Sequence, residues 1–149
     1  MIDIEELKSH SYDVIGAIHS VHKELGPGLN ESVYQEGVKM ELSEKDIPFE
    51  KEFSFHPCYH GVKMETSFRL DFLAKGDIII ELKAVEGGLC AEHKKQLFNY
   101  MRLCQMPVGI LVNFFPSFAA VERYFFDKES QRIYGADGIP IVEFSKSKI

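Results

Sequence analysis

Ile78-Ile79-Ile80-Glu81-Leu82-Lys83-Ala84-Val85 is apolar on both faces of an extended chain apart from one acid and one base, the pattern of a central strand covered on both sides. Glu81 and Lys83, two apart, project from the same face. Burying either charge alone would cost on the order of several kcal/mol, so they must be paired, hydrogen-bonded or bound to an ion. Asp71 lies upstream, across a turn at Lys75-Gly76. A three-residue loop over 75–77 sets it directly opposite Glu81, where cross-strand Cβ atoms stand about 5 Å apart. Two carboxylates at that separation can share one hard cation, Mg²⁺ or Mn²⁺. The plainer alternative is a Glu81–Lys83 pair solvated at a sheet edge, with Asp71 merely ending a strand. Three consecutive isoleucines argue against an edge.

Upstream of the hairpin, Phe53 and Phe55 alternate with polar residues and Tyr59-His60-Gly61 reads as a turn. Val62, Met64, Thr66, Phe68, Leu70 and Phe72 then make one mainly apolar face of a second strand, leaving Arg69 and Asp71 on the other. Three strands from Phe49 to Val85 form an antiparallel meander. Before them, Ile4, Leu7, Val14, Ile18, Val21 and Leu25 recur at helical spacing until Gly26-Pro27-Gly28 stops the helix. Asn30 is an N-cap for a second helix, in which Glu31, Tyr34, Val38 and Leu42 share an inward stripe as far as Asp46-Ile47-Pro48.

Downstream, apolar residues recur at helical spacing between Cys90 and Leu103, and Val108 to Phe114 is another buried strand. Strand, helix, strand predicts a parallel, right-handed crossover. The fold class is α/β, with a mixed central sheet of about four strands flanked by helices. After Pro116 the strand signals weaken, at Val121 to Phe126 and Ile139 to Phe144, around the turn residues Gly135-Ala136-Asp137-Gly138, and the sequence does not place them.

A length of 149 residues without linkers or repeats predicts one domain. The net charge of −6 argues against a protein that coats nucleic acid, because such binding depends on neutralising phosphates; an enzyme needs only a local basic rim. Lys63, Arg69, Lys75, Lys94, Lys95 and Arg102 could supply one. An acidic start, Met1-Ile2-Asp3-Ile4-Glu5-Glu6, and the absence of a spanning apolar run point to a cytoplasmic chain without a membrane partner. Cys58, Cys90 and Cys104 form no Cys-x-x-Cys pair and read as reduced, mostly buried thiols. His10, His19 and His22 lack a Cys or acid set at ligand spacing, which argues against zinc.

Asp71 followed by Glu81-Leu82-Lys83 resembles the D…(D/E)-x-K core of the PD-(D/E)XK nucleases. Gly28-Leu29-Asn30-Glu31-Ser32-Val33-Tyr34 looks like the signature of the bacterial GxxExxY family within that superfamily. The similarity runs from the first helix to about Asn113 and includes Gln96-Leu97-Phe98-Asn99-Tyr100; the tail after about residue 115 lies outside it. Leu70 stands where the superfamily nominally has proline. The resemblance implies a restriction-endonuclease-like core and a Mg²⁺- or Mn²⁺-dependent phosphodiester hydrolase, a nuclease acting on DNA ahead of RNA, with a homodimer open. The alternative is a catalytically silent module that binds nucleic acid or a protein partner. By resemblance Asp71, Glu81 and Glu31 hold the metal, and Lys83 orients or activates water and steadies developing charge. Gln96 and Tyr100, four apart on one helix face, are similar to the Q-x-x-x-Y element of exonuclease-like members. With Arg69 they are candidate contacts to phosphate. A buried structural tyrosine is the competing reading of Tyr100. Glu31, Asp71, Glu81, Lys83 and Gln96 are therefore expected to converge on one cleft from four different elements.

Overall fold

A computed structural model describes residues 2–144. Within it run α1 (Ile4–Leu25), α2 (Glu31–Glu44), β1 (Phe49–Phe55), β2 (Cys58–Tyr59), β3 (Val62–Lys63), β4 (Phe68–Ala74), β5 (Ile78–Lys83), α3 (Ala91–Cys104), β6 (Val108–Asn113), β7 (Ala120–Asp127), β8 (Arg132–Gly135) and β9 (Pro140–Glu143). Seven strands form one sheet in the order β1-β4-β5-β6-β7-β8-β9, and β2 and β3 form a separate hairpin. The sheet is thus wider than the four strands expected from sequence. Its extra width comes from the tail, whose eight-residue β7 and short β8 and β9 add an antiparallel meander to β6. Among the described residues no helix is long and apolar enough to cross a membrane.

Alternation along the strands sorts side chains into two cores. Ile78, Ile80 and Leu82 pack with Val14, Ile18, Val38 and Leu42 of α1 and α2. Ile79 packs with Leu97 and Met101 of α3 on the other face. Each isoleucine of β5 is fully removed from water, worth about 1.5–3 kcal/mol apiece, which holds β5 at the sheet's centre although it carries two charges. Glu81 and Lys83 continue the series of Ile79 and so belong to the α3 face. β5 pairs in parallel with β6, from Ile78↔Val108 to Lys83↔Asn113, and α3 makes the crossover. A side chain at Gly109 of β6 would place its Cβ 2.4 Å from Met101 Sδ; glycine is what lets the helix lie this close.

Three local expectations are corrected. The strand read from Val62 to Phe72 is broken between Lys63 and Phe68; Val62 is 68% and Met64 41% exposed. Alternating hydrophobicity there reflects a protruding hairpin, turned at His60 and Gly61 with positive φ, and not a buried face. Glu31 is exposed, while Tyr34, Val38 and Leu42 of the same stripe are buried, because the first turn of α2 projects past the sheet; Asn30 makes no side-chain cap. Finally, Cys58 and Cys90 are exposed and Cys104 is half-buried, all as free thiols.

Candidate active site

Leu70 and Phe72 are two apart in β4, yet Leu70 packs in the α3 core and Phe72 in the α1/α2 core. Alternation therefore breaks at Asp71, and the expectation of Leu70 and Phe72 on one face, with Asp71 behind them, is overturned. The cause lies on the neighbouring strand. Between the pairs Lys51↔Phe72 and Phe53↔Leu70 stands Glu52, whose φ of +56° is a left-handed conformation that a strand does not tolerate without a kink. At the same point β4 leaves β5: their ladder runs Ala74↔Ile78, Leu73↔Ile79, Phe72↔Ile80 and stops. Residues 75–77 form the three-residue loop read from sequence, and the register makes Asp71 and Glu81 the next opposed pair.

The two acids fill the fork where the strands part. The Asp71 N–H donates to Glu81 Oε1 at 3.2 Å, and the Leu82 N–H donates to Asp71 Oδ2 at 2.8 Å. Each carboxyl thus satisfies a backbone donor that the broken ladder would have left unpaired. Glu81 is 5% exposed. Burial, and then the charge of Asp71, raise its carboxyl to about 9, against hydrogen bonding from the Asp71 backbone and the pull of Lys83. The Glu81 carboxyl therefore favours its neutral form at neutral pH. Lys83 is half-buried two residues on.

Glu31 reaches this group from α2. Partial desolvation raises its carboxyl, the charge of Asp71 raises it further, and Lys83 draws it back. Its position follows from Tyr34, one turn on. The Tyr34 hydroxyl donates to the Gly26 carbonyl at 2.5 Å and accepts from the Leu29 N–H at 3.1 Å. The Tyr34 ring stacks on Phe114 with centroids 4.5 Å apart. The loop leading into α2 is thereby pinned over the end of β6, and the helix starts beside the fork.

On the α3 side a cleft of about 630 Å³ opens, with Lys83, Gln96, Tyr100, Phe68, Lys95 and Arg102 among the residues that line it. Lys83 is the link: it faces the carboxyl pair and also lines the cleft. Burial raises the Tyr100 hydroxyl, and the charges of Glu81 and Asp71 raise it further; its ring lies 5.5 Å from that of Phe68. His93 lines the cleft and also closes the start of α3, its Nδ1 accepting the Cys90 N–H at 3.1 Å. Arg69 is exposed on β4 opposite Ser54 and does not line the cleft. The basic rim read from sequence is divided: Lys75 is bound to Asp13 at 2.8 Å and Lys94 to Glu122 at 3.6 Å, leaving Lys95 and Arg102 at the cleft.

One residue of the site escaped the sequence reading. Asn113 is fully buried at the end of β6. Its Nδ2 donates to the Val85 carbonyl at 3.0 Å, and its Oδ1 accepts from the Val85 and Phe115 N–H groups. The amide acts as a surrogate peptide that prolongs the β5–β6 ladder two residues beyond Lys83. An isolated asparagine closing an otherwise apolar run was the available signal.

In donor type the fork suits a hard divalent cation: carboxylate oxygens on facing strands, one of them buried and protonated for want of a countercharge. Among the described residues no three His, Cys, Asp or Glu side chains form a group that could hold a metal ion.

A family model described as the PD-(D/E)XK nuclease superfamily matches residues 8–124, most of the chain. The α/β architecture, with its mixed sheet between helices, is consistent with a restriction-endonuclease-like fold. Among solved structures, the crystal structure of SSO0001 is similar at a TM-score of 0.50 and 25% identity, over 62% of this chain and 48% of that one; the chain spans about half the length of that relative. No curated protein matches it.

Proposed function

We infer the function from one premise: the chain belongs to the PD-(D/E)XK nuclease superfamily. Superfamily membership supports a nuclease-like phosphodiesterase. We further propose a metal-dependent hydrolase acting on DNA ahead of RNA, of the GxxExxY type, with Asp71, Glu81 and Glu31 as metal ligands. The observation that carries the reading is the fork, in which two opposed carboxyls lie at the end of a broken ladder with Lys83 on the same strand.

Asp71 and Glu81 would hold Mg²⁺ or Mn²⁺, which supplies polarisation of the phosphate and a lowered pKa for attacking water. With such an ion bound, the Glu81 carboxyl would be held as the carboxylate, its proton passing to solvent. Lys83, facing both fork and cleft, steadies the negative charge that grows on the phosphate oxygens. Gln96 can hold the attacking water or the Lys83 ammonium by its amide, and Tyr100 walls the cleft against bulk water. Tyr34 and Asn113 position these groups through backbone.

The test is a cleavage screen with Mg²⁺ and Mn²⁺ over single-stranded, duplex and branched DNA and over RNA. Lys83→Ala should lower cleavage by about 10²–10³-fold, while metal binding survives or tightens because a competing cation is gone. A wild type that cleaves nothing and binds no Mn²⁺ by calorimetry, even with nucleic acid present, would refute the hydrolase. A second reading, a catalytically silent module binding nucleic acid or a protein partner, would then take its place. What favours it is that, among the described residues, no three His, Cys, Asp or Glu side chains form a group that could hold a metal ion.

A further inference from the structure

Building on the reading of the fork as a phosphodiesterase centre, we propose that the cleft beside it takes a single-stranded polynucleotide. The strand lies along α3 with its phosphates on Lys95 and Arg102 and a base against Phe68. Lys95, Asn99 and Arg102 are spaced four and three apart, so they fall on one helix face. All three line the cleft, as do Lys83 and Phe68. In a chain of net charge −6 this is a local concentration of positive charge, opposed within the cleft by Glu92. Arg102 lies with its guanidinium carbon 4.8 Å from the centre of the Phe144 ring, and its Nε is buried without a hydrogen-bond partner.

The distribution of cations decides between strand and duplex. Duplex-binding proteins neutralise about 6–10 phosphates over a broad face, and a duplex is stiff over about 150 base pairs. Here Lys75 and Lys94 are already held by Asp13 and Glu122, and Arg69 is away from the cleft. What remains is a narrow cationic groove of about 630 Å³, with the Phe68 and Tyr100 rings together in its wall. A basic groove with an aromatic platform is the chemistry of single-strand binding, in which bases stack without being read. Glu81, only 5% exposed, also requires the scissile phosphate to enter a recess. A flexible strand can bring its phosphate in.

The experiment uses the whole chain in EDTA and fluorescent 12-nucleotide strands of deoxythymidine and of uridine, beside a duplex of equal length. Binding should favour a single strand by at least about tenfold, and the two sugars in parallel show whether DNA or RNA is held. Three cations in the cleft predict that log K falls against log salt with a slope of about −2, reduced by about 0.7 in Lys95→Gln. Phe68→Leu, which keeps bulk and removes the aromatic face, should weaken binding by about tenfold without lowering the melting temperature to match. Duplex binding as tight as single-strand binding, or an unchanged salt slope in Lys95→Gln, overturns the proposal. The two readings separate cleanly. Single-strand binding without cleavage in any divalent cation sustains the cleft and sinks the hydrolase. Duplex cleavage as fast as single-strand cleavage does the reverse.

Discussion

Glu81 carries a proton at neutral pH because burial and Asp71 raise its carboxyl from 4.5 to about 9, and this makes stability depend on pH in a defined direction. In the unfolded chain the group ionises near 4.5; in the folded chain it does not until about 9. Between those values the unfolded state binds fewer protons, so the native state loses stability as pH rises, by a few kcal/mol at most. Thermal melts without divalent ions should show a melting temperature that falls from pH 5 to pH 9. Glu81→Gln, neutral throughout, should flatten that decline and match or exceed the wild type at pH 9. A wild-type profile as flat as the variant's would contradict the raised Glu81 carboxyl. At this scale the sequence was informative where a charge interrupted an apolar run, as at Glu81 and Lys83. It misplaced Glu31, read on an inward stripe but exposed in the fold, because helical periodicity does not show that the first turn of α2 overhangs the sheet.

The β5–β6 ladder is lengthened by a side chain, and the fork depends on it. Asn113→Ala would leave the N–H and C=O of Val85 and the N–H of Phe115 without their partner. The loss should be on the order of 3 kcal/mol, read from urea unfolding. If Asn113 positions Lys83, cleavage should fall further than the loss of folded protein explains. The helices and the buried strands were legible as elements, since long periodic segments and doubly apolar runs leave few alternatives. The break at Asp71 was not, because it arises from a left-handed residue, Glu52, on the neighbouring strand. The short strand β8 was obscured by Arg132 and turn residues, while β9 showed only as the weak signal at Ile139 to Phe144; each forms on the edge that the strand before it presents.

For the molecule as a whole, a metal ion held only by the folded state adds to its stability by mass action. At a hundredfold over its dissociation constant Mn²⁺ should contribute about 2.7 kcal/mol, about 5–10 °C in melting temperature. The gain should vanish in Asp71→Asn, and calorimetry in buffers of different ionisation enthalpy should record about one proton released near pH 7. The α/β class and the mixed sheet were legible because both faces of β5 and β6 are apolar; the width of the sheet was not, since three of its seven strands come from the tail, where the strand signals are weak. The wide sheet has a seam. β1, β4 and β5 pair antiparallel among themselves, as do β6, β7, β8 and β9, and the parallel β5–β6 contact joins the two sets. The exposed segment Glu86-Gly87-Gly88 lies between them in sequence. A chain cut there would yield two pieces, one bearing the carboxyl fork and Lys83, the other bearing α3 and Asn113. Neither holds a complete centre, so co-expressed halves should regain activity only on recombining, and the molecule can serve as a split reporter.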